Sequence, residues 1–271
     1  MAKYQCGFIG AGNMGGALAT AVCGCCPPEY VVLNDRATEK AAALAAKLGC
    51  AVTADNCEVA RESRFIFLGV KPQFMGEMLS EISPVLEERT DRFLLVTMAA
   101  GLTIDQIRRM AGNDYPVIRI MPNTPVGVGE GMVLYTAEGE TEEELSVFTE
   151  LMHGAGVLDE LPEHLIDAGC ALSGCGPAFF CQFLEALADG AVECGLSREK
   201  AMLYAVQTAL GTAELIRSSG QHPAALKDAV CSPGGSTIAG VHALETGGLR
   251  ASAMNAVCAA YQRTKELGKE K

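Results

Sequence analysis

The chain is poor in basic residues: its 271 residues include 21 Lys and Arg against 33 Asp and Glu, for a formal net charge of −12. This excess of negative charge disfavours binding to nucleic acid or to an anionic membrane surface. Apolar runs also stop well short of the roughly 20 residues that a membrane-spanning helix needs. The amino-terminal residues lack the layout of a signal peptide. We therefore expect a cytoplasmic protein whose partners are neither nucleic acid nor membrane.

Histidine is scarce too, and its 4 copies are scattered without a catalytic or metal-binding pattern. Cysteine is abundant, with 12 copies, but its spacing is irregular. Cys23, Cys25 and Cys26 form the one cluster, and the second ligand pair that a zinc site requires is missing. In a chain without a secretion signal, reduced thiols that act as small hydrophobes are expected. We predict no metal site.

A glycine-rich turn near the amino terminus predicts nucleotide binding. A short buried strand ends at Ile9, the turn Gly10-Ala11-Gly12-Asn13-Met14-Gly15 follows, and a helix begins after it. In this setting the first glycine makes the tight turn and the second lets the backbone approach a pyrophosphate. The third allows the helix to pack closely on the strand. The alternative is that the glycines serve packing alone.

The next predicted strand, Tyr30–Leu33, ends at the residues that would distinguish NADP from NAD. An acidic residue at such a tip holds a ribose 2′-hydroxyl, whereas a neutral tip followed by arginine accommodates a 2′-phosphate. Asn34 stands at the tip, with Asp35 and Arg36 next, so NADP(H) is favoured and NAD(H) is the alternative. If the strand is one residue longer, Asp35 takes the tip and the preference reverses.

Further apolar runs predict strands of a parallel sheet, and ligands in such sheets bind at the carboxyl ends of the strands. One run, Phe65–Val70, is followed by Lys71-Pro72. Another, Phe93–Thr97, leads into Met98-Ala99-Ala100, where small side chains leave room for a flat ring. Asn123 follows a later strand, and its amide either points into the cleft or stabilises its own loop.

The order of strands and helices predicts two domains. As far as Leu161, strands alternate with helices, as in a doubly wound, mostly parallel α/β sheet. From Pro162 onward the pattern is helical, and several helices are apolar on most faces, which requires burial. We predict a Rossmann dinucleotide-binding domain over residues 1–161 and an all-α substrate-binding and dimerisation domain over residues 162–271. The surplus apolar surface favours a homodimer or a higher assembly.

A second glycine-rich stretch, Ser232-Pro233-Gly234-Gly235-Ser236-Thr237, lies in the helical half. Proline fixes φ and glycine admits positive φ, which predicts a tight turn. Helical spacing resumes at Ile238, with Ser236 or Thr237 as the N-cap. Free backbone N–H groups at such a helix start form an anion site. The alternative is a capped helix after a tight loop, without a ligand.

Five motifs in this order resemble the pyrroline-5-carboxylate reductase family. They are Gly7–Gly15, Val70–Gln73, Met121–Pro125, Leu172–Ala178 and Val230–Thr237. The resemblance extends from Cys6 to about Leu267, and the last motif is the most specific. It implies a Rossmann domain, a helical dimerisation domain, and assembly as dimers or decamers. It also implies NAD(P)H-dependent reduction of 1-pyrroline-5-carboxylate to L-proline, the final step of proline biosynthesis.

The resemblance further implies which residues meet each ligand. Those expected at the cofactor, with Arg36 added from the strand-tip argument, are Phe8, Ile9, Gly10, Ala11, Gly12, Asn13, Met14, Asn34, Arg36, Asn56, Gly69, Val70, Lys71, Pro72, Met98, Ala99 and Ala100. Those expected at the substrate are Ser232, Gly234, Gly235, Ser236 and Thr237. The Thr237 hydroxyl would face the ring nitrogen and orient or relay its proton, as the catalytic residue. Ala229 departs from the pattern, since some members have an asparagine there that touches the ligand.

Two other functions stay open. A 6-phosphogluconate or β-hydroxyacid dehydrogenase would need a lysine of the helical domain beside the nicotinamide. Lys200 and Lys227 are the candidates, and neither lies in a glycine-rich helix start. A nucleotide-sensing protein would keep the Rossmann domain without catalysis, and the intact loop at Ser232–Thr237 argues against it.

Overall fold

The structure, a computed structural model, describes residues 2–269. The last two residues of the predicted helical domain, and Met1, lie outside that range. Eight strands form one sheet: β1 (Tyr4–Ile9), β2 (Val31–Asn34), β3 (Ala51–Val52), β4 (Ser63–Leu68), β5 (Leu94–Thr97), β6 (Val117–Pro122), β7 (Gly131–Glu138) and β8 (Gly156–Glu160).

Their order in the sheet is β3-β2-β1-β4-β5-β6-β7-β8. Every neighbouring pair is parallel except β6 and β7, which confirms the prediction of a mostly parallel, doubly wound sheet. The strand order reverses between β1 and β4. Ligands of open α/β sheets bind at such a switch point, outside the carboxyl ends of the strands.

Twelve α-helices complete the described chain: α1 (Asn13–Cys25), α2 (Thr38–Leu48), α3 (Asn56–Glu62), α4 (Met75–Glu87), α5 (Ile104–Ala111), α6 (Glu142–Met152), α7 (Glu163–Ser173), α8 (Gly176–Glu193), α9 (Arg198–Ser219), α10 (Pro223–Val230), α11 (Ser236–Thr246) and α12 (Leu249–Lys269). Beyond β8, the described residues contain helices and connecting loops alone, as the sequence predicts. A capping box starts α6, because the Thr141 hydroxyl and the Glu144 carboxylate each accept the other residue's backbone N–H.

Helices cover both faces of the sheet, which explains why β4 is apolar at consecutive positions. Phe65 and Phe67 point into a core that they share with α1 and α6. Ile66 and Leu68 point into the opposite core, with α3, α4 and α5. The Phe67 ring stacks on that of Phe8 of β1, with centroids 4.4 Å apart. The two central strands are therefore held together by side chains as well as by the hydrogen-bond ladder.

The described chain separates into two compact units. One contains the residues up to Cys175 together with those from Ala260 onward, and the other is Gly176–Ala259. Helix α7 belongs to the first unit because Ile166 is buried against the sheet beside Leu134 of β7. The boundary predicted after residue 161 follows the end of the last strand, and the packing boundary comes one helix later.

In the second unit, α8 and α9 pack through small side chains. Ala188, Ala201 and Ala205 are its buried apolar residues among those the structure describes. Larger apolar side chains lie outward and are 52–67% exposed: Phe180, Leu203, Tyr204, Leu210, Leu215, Val230 and Met254. An apolar surface of this kind marks an interaction site.

By length and composition, the segment Glu163–Glu193 meets the criterion for a membrane span, and 11% of its most apolar window is buried within the chain. The segment comprises two helices, α7 and α8, interrupted after Ser173. Because core helices of soluble proteins meet the same criterion, it is weak evidence for a membrane. The absence of a membrane partner stays a prediction.

A buried cation fixes α7 to the sheet. The side chain of Arg119, on β6, is 2% exposed, and its Nη atoms lie 3.2 Å from Glu163 Oε1 and 2.7 Å from Asp167 Oδ1 of α7. The same Glu163 oxygen accepts the N–H of Ile104, the first residue of α5, at 2.8 Å. One guanidinium thus joins a central strand to the starts of two helices.

We expect the double substitution Glu163→Ala, Asp167→Ala to lower the free energy of unfolding by about 3–5 kcal/mol, because it leaves a buried guanidinium without a counter-charge. Arg119→Met should cost clearly less, since the two carboxylates are partly exposed and can be solvated. Urea unfolding of the three proteins measures both changes. A larger loss for Arg119→Met than for the double variant would contradict this account.

Candidate functional site

A cleft of about 470 Å³ lies at the carboxyl ends of β1, β2 and β4, at the switch point of the sheet. Its lining includes these residues expected at the cofactor: Ile9, Gly10, Gly12, Asn34, Arg36, Asn56, Gly69, Val70 and Lys71. A larger groove of about 720 Å³ lies at the opposite edge, beside Lys3 and Arg64. We place the functional site in the smaller cleft, because open parallel sheets bind ligands at the carboxyl ends of their strands.

The other expected cofactor residues do not line this cleft: Phe8, Ala11, Asn13, Met14, Pro72, Met98, Ala99 and Ala100. The Phe8 side chain is fully buried against Phe67, so its side chain is not available to a ligand. Met98 to Ala100 follow β5, one strand further along the sheet. Their role at the nicotinamide stays a prediction.

Three glycines of the turn have three different physical roles. Gly10 has a φ of 98°, and a Cβ there would lie 2.7 Å from the carbonyl carbon of Gly69. A Cβ on Gly15 would collide with the carbonyl oxygen of Gly10. A Cβ on Gly12, in contrast, would meet only Asp35 Oδ2, at 3.9 Å. The space beside Gly12 is therefore free for a ligand, as expected of the glycine next to a pyrophosphate.

The residue at the tip of β2 has a different role from the one that the sequence suggests. The strand ends at Asn34, as counted. However, Asn34 is 6% exposed and its Nδ2 donates to the Thr53 carbonyl oxygen at 3.1 Å. Asp35 and Arg36 follow and both line the cleft. Asn34 is thus an anchor of the fold, and the two charged residues after it face the ligand space.

Sequence reasoning missed a second wall of the cleft. Its residues come from α2, from the loop before α3, from the turn before α4 and from α4 itself: Thr38, Ala54, Phe74, Glu77, Met78 and Glu81. Asn56, which was expected, is oriented by this wall, because its Nδ2 donates to Glu81 Oε2 at 2.9 Å. The Asn56 Oδ1 atom is buried without a hydrogen-bond partner among the described residues.

One group of three potential metal-ligand atoms occurs in the described chain, on Asp55, Cys57 and Glu81. Burial, followed by the charges of Asp55 and Glu81, raises the pKa of the Cys57 thiol. A protonated thiol is a poor metal ligand, and a Glu81 oxygen already accepts from Asn56. The trio therefore gives no support for a metal site.

The loop Ser232–Thr237 forms a tight turn ahead of α11. The Gly235 N–H donates to the Ser232 carbonyl oxygen at 3.0 Å, and Gly234 has a φ of 69°. Proline followed by a glycine of positive φ is typical of a type II turn. The predicted N-cap is wrong: Gly235 occupies that position and α11 begins at Ser236, because the turn ends one residue earlier than the hydroxyl pattern suggests.

This correction leaves the hydroxyls of Ser236 and Thr237 without a capping role. Ser236 and Thr237 are the first two residues of α11, are exposed, and do not cap the helix. The first backbone N–H groups of a helix have no acceptor within it. The helix start therefore combines N–H donors with two hydroxyls, which suits a carboxylate that lies beside a polar group.

Asn123 stabilises its own loop, as one of the two alternatives predicts, and it also connects that loop to α7. Its Oδ1 accepts the Met132 N–H at 2.9 Å, and its Nδ2 donates to the Ser173 carbonyl oxygen at 3.0 Å. One amide thereby connects the end of β6 to β7 and to the end of α7. Two of the sequence motifs, Met121–Pro125 and Leu172–Ala178, meet at this contact.

A glycine turn at the switch point of a doubly wound sheet, followed by helices, defines a dinucleotide-binding protein of the Rossmann type with a helical second domain. Residues 5–101 match the family described as NADP oxidoreductase, coenzyme F420-dependent, and residues 163–267 match the pyrroline-5-carboxylate reductase dimerisation family. The pyrroline-5-carboxylate reductase of Methanosarcina acetivorans is 40% identical over 100% of both chains. This chain belongs to the pyrroline-5-carboxylate reductase family.

Other pyrroline-5-carboxylate reductases are similar to this chain over nearly its whole length. Pyrroline-5-carboxylate reductase 3 of Danio rerio is 43% identical over 98% of this chain and 92% of its own. A crystal structure of the Plasmodium falciparum pyrroline carboxylate reductase with NADP bound is similar with a TM-score of 0.88, at 32% identity over 99% of each chain. The pyrroline-5-carboxylate reductase of Coxiella burnetii gives a TM-score of 0.89, at 30% identity over 98% of each chain.

The three glycine roles predict opposite outcomes for alanine variants. Gly12→Ala should change the free energy of unfolding by less than about 1 kcal/mol, since the added Cβ meets only an ordinary contact. It should weaken NADPH binding by about tenfold or more, because the Cβ enters the space for the pyrophosphate. Gly15→Ala should cost about 1–3 kcal/mol of stability through its collision with Gly10.

Gly24→Ala is the matched control on the same helix, because a Cβ there meets nothing within 4 Å. It should leave binding unchanged and leave stability equal or raise it by up to about 1 kcal/mol. Urea unfolding and a titration followed by nicotinamide fluorescence measure the two quantities. Equal loss of NADPH affinity in the Gly12 and Gly24 variants would contradict the assignment.

Proposed function

We propose that this chain catalyses the NAD(P)H-dependent reduction of 1-pyrroline-5-carboxylate to L-proline, the final step of proline biosynthesis. The observation that carries the proposal is full-length similarity to reductases of that name, combined with the donor-rich start of α11. NADP(H) is the favoured cofactor, supported by the NADP bound to the Plasmodium relative and by the family match over residues 5–101. NAD(H) is the alternative.

The substrate is a cyclic imine that carries a carboxylate, and the loop Ser232–Thr237 suits both groups. Backbone N–H groups at Ser236 and Thr237 would hold the carboxylate at the positive end of α11. Such a helix end contributes about 0.3–1 kcal/mol per charge when exposed and up to about 2 kcal/mol when partly buried. This binding needs no basic side chain.

When bound, the reduced nicotinamide supplies the hydride that the imine carbon receives. The ring nitrogen must carry a proton at that stage, and the Thr237 hydroxyl is the group that would orient or relay it. A threonine hydroxyl is a poor acid, so the substrate is expected to arrive as the iminium ion. The contribution of the protein is then mainly the positioning of the two reactants.

The rival dehydrogenase mechanism finds less support. It requires a lysine held near the nicotinamide as acid and base. Lys227 is half exposed, and its Nζ lies 3.1 Å from Asp228 Oδ1. Lys200 lies in the first turn of α9 and is exposed. Neither lysine has the buried setting that prepares an ammonium group for proton transfer.

The proposal extends to assembly and location. A homodimer through the helical part is supported by the dimerisation match over residues 163–267 and by the exposed apolar side chains of α8 and α9. A decamer built from such dimers is the larger assembly we propose. A cytoplasmic location is supported by the cysteines, all of which lie among the described residues and are free. The net charge disfavours nucleic acid and anionic membranes as partners.

Thr237→Ala should lower kcat for the reduction by about 10²-fold, the cost typical of a misplaced reactant, because the hydroxyl no longer orients the ring nitrogen. NADPH affinity should not change. The assay is the loss of NADPH absorbance with 1-pyrroline-5-carboxylate, with NADH run in parallel. Thr237→Ser should recover most of the rate, and Thr246→Ala, at the far end of the same helix, is the control. Full turnover by Thr237→Ala would remove this residue from the mechanism.

The assembly is tested separately. Phe180→Glu and Leu210→Glu should shift the molar mass from a dimer or larger species toward the monomer, because each places a charge on the apolar face of the helical unit. Val128→Glu is the control, since Val128 is 79% exposed on a loop of the sheet unit. Light scattering after size exclusion gives the mass. A monomeric wild-type protein would overturn the proposed assembly.

A further inference from the structure

The end of β2 contains two charged residues with opposite preferences for the 2′ position of an adenosine ribose. Asp35 and Arg36 both line the cleft, whereas the amide of Asn34 is committed to Thr53. A carboxylate at this place accepts a hydrogen bond from a 2′-hydroxyl, and an arginine pairs with a 2′-phosphate. Which dinucleotide is preferred therefore depends on where the two side chains point.

The Asp35 carboxylate is held toward the glycine turn. Its Oδ1 accepts the Ala37 N–H at 2.8 Å, which fixes the side chain at the end of the strand. Its Oδ2 lies 3.9 Å from the position of a Cβ on Gly12. This second oxygen thus stands beside the glycine that the pyrophosphate approaches. In Rossmann folds the adenosine ribose next to that pyrophosphate is contacted by an acidic residue at this strand end.

Arg36 lies against the opposite wall of the cleft. Its guanidinium is 4.8 Å from the centre of the Phe74 ring, and Phe74 also lines the cleft. Stacking on an aromatic ring orients the guanidinium plane but leaves its N–H groups free in that plane. Arg36 can therefore receive a 2′-phosphate without leaving the ring.

The charge of the cleft lining does not favour a phosphate overall. Asp35, Glu77 and Glu81 supply three carboxylates, and Arg36 and Lys71 supply two cations. A 2′-phosphate adds up to about two negative charges, and the carboxylate of Asp35, adjacent to Arg36 in the chain, would repel it. The same carboxylate stabilises a ribose that ends in a hydroxyl.

We propose that Asp35 binds the ribose 2′-hydroxyl of NADH and thereby limits the preference for NADPH that Arg36 provides. The proposal rests on the proposed function, and it makes Asp35 a specificity-determining residue of the same site. Asp35 and Arg36 act in opposition, so removal of either one shifts the choice of cofactor in a known direction.

The experiment measures the dissociation constants of NADPH and NADH by nicotinamide fluorescence, without substrate, and kcat/KM for each cofactor with 1-pyrroline-5-carboxylate. Asp35→Asn should raise the NADPH-to-NADH preference by about tenfold, because a charge-assisted hydrogen bond is lost and a repulsion is removed. Arg36→Gln should lower the preference by a similar factor. Asparagine keeps a side-chain oxygen that can accept the Ala37 N–H. If the Asp35→Asn protein does not fold, the Asp35→Ser variant is measured in its place.

Glu39→Gln is the matched control, since Glu39 lies on the first turn of α2 and does not line the cleft. An unchanged preference in Asp35→Asn and Asp35→Ser would overturn the inference, as would an equal rise in Glu39→Gln. Shifted preferences in binding, with no reduction of the imine by wild type, would support the inference and reject the proposed function. Failure of wild type to bind either dinucleotide would overturn both.

Discussion

The structure depends on one contact between backbones, at the point where β1 turns into α1. The Gly10 N–H donates to the carbonyl oxygen of Asn34 at 2.9 Å. A Cβ on either Gly15 or Gly69 would collide with the carbonyl oxygen of Gly10. Strand, helix start and the loop after β4 therefore approach with no side chain between them. Because these three segments form the floor of the cleft, the absence of side chains allows packing and also leaves room for a ligand at Gly12.

The rest of the sheet supports this contact. The stacked rings of Phe8 and Phe67 hold β1 beside β4 one position before the strands diverge. Arg119 and Asn123 secure the other half of the sheet to α7, through two carboxylates in one case and two backbone groups in the other. Each of these residues is committed to the fold. The groups left for a ligand at the strand ends are consequently backbone N–H groups and a few charged side chains.

The sequence predicts those structural features that depend on residues close together in the chain. The glycine turn, the buried strands and the tight turn before α11 follow from φ preference and apolar pattern, and they agree with the structure. It does not reveal α3, α4 or β3. Strand β3 has only two residues, and α4 contributes Glu77, Met78 and Glu81 to the second wall of the cleft. Nor does it show where a side chain points. The tip residue Asn34 is correctly placed, yet its amide bonds Thr53 across 19 residues of chain, and Asn123 bonds Ser173 across 50.

The single chain explains less of the helical unit than of the sheet unit, because the contacts that cover the large apolar side chains of the helices are not made within it. Among the described residues of the unit Gly176–Ala259, the buried apolar side chains are alanines, which allow close helix packing but bury little apolar area, at roughly 25 cal/mol per Å². Its large apolar side chains are exposed in the single chain, and so is most of the loop Ser232–Thr237. A carboxylate held by backbone N–H groups is bound more strongly when water is excluded, because the effective dielectric constant falls. Assembly that covers this surface would therefore serve two needs, the stability of the helices and the strength of the substrate site.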